Sequence, residues 1–144
     1  MQPSPSILNE IKAHEALRLK SYLPTPDDVP TIGYGSTGPD IKLGMTWTLE
    51  QAERRFASHC ATLANQMSAA LAGVPTTQKQ FDAMFSLAYN IGFSAWARST
   101  VLREHKAKRY VRAQNAFLMW VKQKGKTLRG LVTRRKREAD VYDD

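Results

Sequence analysis

Cysteine is almost absent from this sequence: among 144 residues there is one, Cys60. A single thiol excludes an intramolecular disulfide, so the fold does not depend on a disulfide framework. Cysteine without a partner usually behaves as a small buried hydrophobe, which predicts that Cys60 is a core residue. With 42% hydrophobic residues, the chain is apolar enough to bury the core of a single domain over 1–144.

Long apolar runs and metal-binding patterns are also lacking. No stretch of 18 apolar residues occurs, which excludes a transmembrane helix. The opening residues, MQPSPSILNEIKAHE, show neither the basic start nor the apolar segment of a secretion signal, so we expect accumulation in the cytoplasm where the protein is made. His14, His59 and His105 lack the spacing of metal ligands, so neither a metal nor a cofactor is predicted.

Acidic residues are few: 13 Asp and Glu stand against 21 Lys and Arg, giving a net charge of +8. Thirteen of the cations lie from Arg103 onward. This bias indicates an anionic partner, and nucleic acid, an anionic membrane and the bacterial wall polymer all fit it. The same cations also fit solvated helix faces, and Arg134 and Arg135 fit ion pairs inside the fold with Glu10 or Glu138.

The pattern of apolar residues predicts an α+β fold. A short helix is expected over 6–16, with Ser6 as its N-cap. The alternation in LRLKSYL predicts a half-buried strand, and VPTIGYG and STGPDIKLGM predict a second extended run and a short third one. These segments form an antiparallel sheet of two or three strands.

Everything after Thr48 is predicted to be helical. Capping-box patterns begin two helices, one at Thr48 with Gln51 and one at Thr77 with Gln80. A further helix is expected from about 108 to 121 and a last basic helix near 132–142, with Gly125 and Gly130 between them. The result is a small lobe of helix and sheet, about 12–47, a larger helical lobe, about 48–144, packed with the N-terminal helix, and a cleft between the two lobes.

Candidate catalytic residues cluster around the run TIGYGSTG. A phosphate-binding loop is disfavoured here, because no helix begins directly after the glycines. Glu15 closes the first helix, and Asp27 and Asp28 lie in the turn before Thr31. Two carboxyls facing each other fit glycoside cleavage, one protonating the leaving oxygen and the other activating water that Thr31 holds in line. The alternative for each acid is a solvated surface charge.

The run HEALRLKSYLPTPDDVPTIGYGSTG resembles the opening of the phage lysozyme family (glycoside hydrolase family 24). LGMTWTLEQAERRF, QFDAMFSLAYNIG and FLMWVKQKGKTLRGLVTRRKREADVY resemble later segments of the same family, in the same order. The resemblance therefore covers almost the whole chain. It implies a lysozyme-like fold whose active-site cleft lies between the two lobes.

The resemblance also implies an activity. It indicates an endolysin, a muramidase that hydrolyses the β-1,4 bond between N-acetylmuramic acid and N-acetylglucosamine with inversion of configuration. Glu15 is then the general acid and Thr31 positions the water. Asn90, Trp120 and Tyr34 are expected to contact the glycan, although Asn90 also fits a helix cap and Trp120 a core residue. Expected partners are peptidoglycan and a separate holin that gives a monomeric cytoplasmic enzyme access to the periplasm and wall, with neither nucleic-acid binding nor stable membrane insertion.

Three departures from the family pattern stand out. Ala16 replaces the usual Gly after the Glu, and Ser36 replaces a His or similar residue after Gly-x-Gly. Pro24 occupies the usual position of the second carboxylate, which must then come from Asp27 or Asp28. We favour Asp28, because it is closer to the strand that carries Thr31.

Three rival functions remain at this point. A lytic transglycosylase cuts the same bond without water, and a water-positioning threonine argues against it. A nucleic-acid-binding module fits the basic run RRKRE but leaves Glu15 and the turn acids unexplained. A basic helical segment that disrupts membranes without catalysis is the third.

Overall fold

The computed structural model describes residues 1–144. The chain forms two compact units, which we call the sheet unit (Leu8–Thr62) and the helical unit (Met1–Ile7 with Leu63–Asp144). Its elements are α1 Pro5–Glu15, β1 Arg18–Tyr22, β2 Thr31–Gly33, α2 Leu49–Ala70, α3 Gln78–Ile91, α4 Phe93–Ala97, α5 Thr100–Lys106, α6 Tyr110–Ala116, a 3-10 turn Phe117–Met119, β3 Lys122–Gln123, β4 Lys126–Thr127 and α7 Arg129–Asp143. The α+β class is confirmed; the lobe boundaries and the cleft stay predictions.

Helix α1 begins earlier than predicted. The hydroxyl of Ser4 accepts a hydrogen bond from the Ile7 N–H at 3.2 Å, so Ser4 is the N-cap and the assignment of Ser6 is wrong. Pro5 takes the first helical position, where the missing N–H costs nothing and the fixed φ suits a helix. Its apolar face is in the core, where Ile7 and Ile11 are both buried.

The sheet unit contains a small antiparallel sheet. Strands β1 and β2 pair with Arg18 opposite Gly33 and Tyr22 opposite Thr31, with an irregularity between the two pairs. The segment 45–47 pairs with the other edge of β1 through two backbone hydrogen bonds of 2.9 and 2.8 Å. The predicted burial of the alternating residues is wrong: Leu17, Leu19 and Leu23 are exposed, because so narrow a sheet encloses no apolar face of its own.

Both predicted capping boxes are confirmed. Thr48 and Gln51 exchange side-chain and backbone hydrogen bonds of 2.8 and 3.1 Å at the start of α2. Thr77 and Gln80 do the same at the start of α3, at 2.9 and 3.0 Å. The apolar stripe of α2 is buried at Phe56, Cys60, Leu63 and Met67, and Leu71, directly after the helix, is buried as well.

The core of the helical unit is built around α3. Eight consecutive residues of this helix, 81–88, are buried, and α3 packs against α7 and α4. Trp96 of α4 is fully buried beside it. The buried residues of α3 include the polar Asp82 and Ser86, so its burial extends beyond the apolar face of the helix.

The last third of the chain departs from the predicted helices. The helix expected over 108–121 is the short α6 followed by a 3-10 turn, and α7 starts at Arg129, so Gly130 lies inside its first turn rather than before it. Between them stands an unpredicted hairpin, β3 and β4. Its two-residue turn has φ of 53° at Lys124 and 80° at Gly125, the type I′ geometry that suits tight hairpins.

Candidate active site

Glu15 is the last residue of α1 and is half-buried. The next residue, Ala16, has a left-handed backbone with φ of 50°, and its N–H donates to the Lys12 carbonyl at 3.1 Å. This geometry ends the helix directly after Glu15. Glycine adopts it without strain, which accounts physically for the glycine usual at this position in the family pattern.

The Glu15 carboxyl lies against the bare backbone of Gly35. A Cβ added to Gly35 would come within 2.6 Å of Glu15 Oε2, and Gly35 has φ of 77°. Gly33 is used in the same way, since its Cβ would come within 3.0 Å of the Trp47 ring. The glycines of TIGYGSTG therefore make room for side chains, and one of those side chains is the candidate acid.

Thr31 and Asp28 are both anchored to the backbone of Val29. The Thr31 hydroxyl donates its proton to the Val29 carbonyl at 3.0 Å, and Thr31 is 5% exposed. The Val29 N–H donates to Asp28 Oδ1 at 3.0 Å. These two hydrogen bonds tie the Thr31 hydroxyl and the Asp28 carboxylate to the backbone of the same residue, Val29.

The two turn acids differ in how they are held. Asp28 is half-buried, and its backbone N–H donates to the Thr25 carbonyl at 3.0 Å, closing the turn. Asp27 is exposed and accepts a bond from the Thr25 hydroxyl at 3.1 Å. The link of Asp28 through Val29 to Thr31 favours Asp28 as the second carboxylate.

Tyr34 lies in the core of the sheet unit. It is 7% exposed, and its hydroxyl donates to Glu53 Oε1 at 2.7 Å. The hydrogen bond to the Glu53 carboxylate raises the pKa of Tyr34. Lys12 completes the group, with its ammonium 2.6 Å from Glu53 Oε2 and 5.3 Å from the Tyr34 ring centre. These contacts favour a supporting role for Tyr34 rather than contact with a glycan.

Asn90 and Trp120 lie together in the helical unit. Both line a pocket of about 280 Å³ with Lys122, Gln123 and Arg135. Arg135 donates to Asn90 Oδ1 at 2.9 Å and to the Trp120 carbonyl at 3.4 Å. The structure thus brings the two predicted glycan contacts into one pocket, through an arginine that sequence reasoning did not place there.

A buried ionic cluster holds Arg135 in place. Glu138 is 2% exposed, and its Oε1 lies 2.7 Å from Arg135 Nε. Glu138 also accepts from the Ser86 hydroxyl at 2.6 Å and from Arg134 Nε at 3.3 Å. The predicted ion pairing of Arg134 and Arg135 with Glu138 is therefore confirmed within α7. Hydrogen bonds from Ser86 to Glu138 and from Arg135 to Asn90 join this cluster to α3.

Two further observations concern possible metal ligands and the length of the helices. The chain contains no group of three His, Cys, Asp or Glu side chains placed to hold a metal ion. None of its helices has the length and apolarity needed to cross a bilayer.

This chain is similar in sequence and in fold to known proteins. A family model described as phage lysozyme matches residues 12–138. The endolysin of Salmonella phage P22 is 39% identical over 146 residues, which cover 99% of this chain and 98% of that protein. The solved endolysin of Escherichia coli O157:H7 phage FAHEc1 is 40% identical, with a TM-score of 0.86 over 100% of this chain and 94% of its own. The muramidase domain of SpmX from Asticaccaulis excentricus is 30% identical, with a TM-score of 0.85 over 98% of this chain and 97% of its own.

Proposed function

This chain belongs to the phage lysozyme family, and we propose that Glu15, Asp28 and Thr31 carry out its reaction. The enzyme is a glycoside hydrolase, an endolysin that lyses peptidoglycan. The bond it cleaves is the β-1,4 link between N-acetylmuramic acid and N-acetylglucosamine. The observation that carries the proposal is the Glu15 carboxyl at the end of α1, seated against Gly35.

Glu15 is the general acid in this proposal. It protonates the glycosidic oxygen as the bond to the anomeric carbon breaks, so that the leaving sugar departs as an alcohol. Its position at a helix end fixes the backbone from which the carboxyl projects. The missing Cβ of Gly35 leaves the space that the carboxyl occupies.

Thr31 and Asp28 bind and orient the attacking water in this proposal. The only hydroxyl proton of Thr31 is donated to the Val29 carbonyl, so its oxygen is left to accept a hydrogen bond. A water that donates one hydrogen to Thr31 and the other to the Asp28 carboxylate keeps a lone pair free for the anomeric carbon. Attack by that water, with its proton passing to Asp28, inverts the configuration.

The deciding experiment compares the wild type with Glu15→Gln, which keeps the shape of the side chain and removes the acid. We expect the rate of reducing-end release from purified peptidoglycan to fall by about 100-fold or more. Asp140→Asn, an exposed carboxylate of α7, is the matched control and keeps the wild-type rate. Equal clearance of permeabilised cells by Glu15→Gln and wild type would instead assign lysis to the basic helices.

Product analysis separates hydrolysis from the transglycosylase alternative. At each cut a hydrolase leaves a reducing end on the muramic acid, whereas a transglycosylase leaves a 1,6-anhydro ring there. The acceptor-only oxygen of Thr31 beside Asp28 favours hydrolysis, because a reaction without water has no use for that pair. Mass spectra of the digest that show 1,6-anhydro ends would overturn this choice.

Access to the wall forms the last part of the proposal. The enzyme is a monomer that collects in the host cytoplasm and reaches the periplasm when a separate holin opens the membrane. The test is expression in Escherichia coli with and without a co-expressed holin. Rapid lysis only in the presence of the holin is expected, and comparable lysis without it contradicts this route.

A further inference from the structure

Two side chains from different parts of the sheet unit meet at one carboxylate, that of Glu53. The Tyr34 hydroxyl donates to Glu53 Oε1 at 2.7 Å, and Lys12 Nζ lies 2.6 Å from Glu53 Oε2. Lys12 belongs to α1, Glu53 to α2, and Tyr34 to the glycine run that follows β2. Each oxygen of the carboxylate therefore joins α2 to a different segment.

Glu53 stays ionised near neutral pH. The hydrogen bonds from Lys12 and Tyr34 lower the pKa of its carboxyl, although partial burial opposes them. An ionised carboxylate accepts from both partners at once, and hydrogen bonds to a charged group are shorter and stronger than neutral ones. The two links to Glu53 therefore exist together while the enzyme works.

Two aromatic rings keep the Lys12 ammonium beside Glu53. The ammonium lies 5.3 Å from the centre of the Tyr34 ring and 5.1 Å from the centre of the Phe56 ring. The two rings are in contact, with their centres 5.3 Å apart, and Phe56 follows Glu53 by one turn of α2. Cation–π attraction thus adds to the ion pair and joins α1, α2 and Tyr34 at a single point.

Both partners of Glu53 stand next to the candidate acid and its support. Lys12 precedes Glu15 by three residues, so the two side chains are neighbours on one face of α1. Tyr34 is bonded directly to Gly35, whose bare backbone lies against the Glu15 carboxyl. A change in how Glu53 holds α1 and Tyr34 therefore moves the Glu15 carboxyl relative to Gly35.

We propose that Glu53 is a positioning residue for the reaction: it ties the helix that carries Glu15 to the glycine run that receives the Glu15 carboxyl. Lys12 is the link to α1, and Tyr34 is the link to Gly35. These three side chains act without touching the glycan, so their effect falls on the chemical step rather than on substrate binding. The inference rests on the proposed function, because the position of Glu15 affects the rate only if Glu15 is the acid.

Tyr34→Phe removes the link to the glycine run and leaves the ring in place. On soluble peptidoglycan fragments we expect kcat to fall by about five- to tenfold, less than the cost of a full 1 Å displacement, with KM unchanged. Lys12→Met removes the link to α1 and should show the same division between kcat and KM. An unchanged kcat in either variant would overturn the inference.

Substitution of Glu53 itself tests both links together. Glu53→Ala removes the two at once, so its loss in kcat should be at least as large as that of Tyr34→Phe. Glu53→Gln gives up the ion pair with Lys12 but keeps an oxygen that accepts from Tyr34, so it should recover part of that loss. A wild-type kcat in Glu53→Ala contradicts the proposed role.

Tyr142→Phe is the matched control for Tyr34→Phe. Tyr142 is also buried, and its hydroxyl lies 2.6 Å from His105 Nδ1, but it belongs to the helical unit. Both variants lose one hydroxyl from a buried tyrosine, so both should lower the urea midpoint, whereas Tyr142→Phe should keep the wild-type kcat. If kcat falls equally in both, Tyr34 acts through general stability and the inference is wrong.

A double-mutant cycle tests the path from Tyr34 to Glu15. In Gly35→Ala the added methyl group already displaces the Glu15 carboxyl. Tyr34→Phe should then lower kcat by less than about twofold, because the position that it would disturb is already lost. The full five- to tenfold loss in this background would show that Tyr34 acts by another path, against the inference.

Failure of the proposed function has a different result. If Glu15 is not the acid, Glu15→Gln itself keeps the wild-type kcat, and the inference falls with the proposed function. A normal kcat in Tyr34→Phe together with a large loss in Glu15→Gln refutes only the positioning role of Glu53.

Discussion

At the scale of single residues, the three glycines of TIGYGSTG each lie against a different side chain. An added Cβ would meet Trp47 at Gly33, Glu15 at Gly35 and Asp40 with Arg55 at Gly38. Sequence reasoning identified the run as part of an active-site lobe, yet the particular contacts depend on residues brought in from other elements. The three glycines in the run indicate that side chains pack closely against its backbone. Which side chains these are can be known only from the fold.

Gly35→Ala tests whether the space above Gly35 is required for catalysis. We expect the rate of peptidoglycan hydrolysis to fall by about 100-fold, because the new methyl group displaces the Glu15 carboxyl by about 1 Å. Stability should fall by about 1 kcal/mol, since a left-handed backbone strains alanine.

Gly73→Ala is the control, because Gly73 has the same φ of 77° and no atom within 4 Å of an added Cβ. It should show the same loss in urea denaturation and keep wild-type activity. A normal rate in Gly35→Ala would show that Glu15 does not depend on this space.

The choice between Asp27 and Asp28 also belongs to the residue scale. Sequence distance to Thr31 favoured Asp28, and the shared backbone of Val29 supports the same residue. The roles of Glu15, Asp28 and Thr31 stay predictions. The hydrogen bond between Asn90 and Arg135 could not be predicted from the sequence, because the two residues are 45 positions apart and no local pattern links them.

At the scale of elements, the backbone at the end of α1 is strained, and a single substitution should relieve that strain. Ala16 has φ of 50°, where glycine is the unstrained residue. We expect Ala16→Gly to raise the free energy of unfolding by about 1 kcal/mol, the relief of strain exceeding the added entropy of the unfolded glycine. Urea denaturation measures the change.

Ala13→Gly provides the opposite control in the same helix. Ala13 is exposed within α1, so glycine there should lower stability by about 1 kcal/mol. Destabilisation by both substitutions would contradict the assignment of strain to Ala16.

Elements with local signals were predictable from the sequence, and those without were not. The capping boxes at Thr48 and Thr77 form between residues three apart, so their pattern is complete within one turn. The hairpin escaped prediction because strands of two residues carry no periodicity. Its single signal was Lys124–Gly125, a dipeptide whose second residue suits a tight turn.

At the scale of the whole molecule, His105 joins three parts of the helical unit. Its Nε2 lies 2.9 Å from the Thr76 hydroxyl and its Nδ1 lies 2.6 Å from the Tyr142 hydroxyl. Thr76 donates its own proton to the Val74 carbonyl, so Nε2 must donate to Thr76. Burial lowers the pKa of His105 below the ordinary 6.5 and so favours the neutral ring, in which Nδ1 accepts from Tyr142.

This neutral histidine predicts a loss of stability in acid. The unfolded chain binds a proton near pH 6.5 whereas the folded one does not, so stability is full above that pH and declines as the pH falls below it. The decline contributes up to about 1.4 kcal/mol per pH unit until the folded pKa is reached. Urea denaturation at pH 7.5 and pH 5.0 should show a smaller difference for His105→Gln than for the wild type. Equal differences would mean that His105 takes up its proton in the folded state as readily as in the unfolded one.

Because Cys60 is the only cysteine, its reaction with thiol reagents reports local opening around α2. Burial in α2 raises the thiol pKa to about 12, so almost no thiolate exists near neutral pH and reagents find little to attack while α2 is closed. Each reaction with a thiol reagent therefore records an excursion in which this helix has come away from its neighbours. Because no second cysteine competes, the labelling rate of the unmodified protein counts those excursions directly, before and after a glycan is bound.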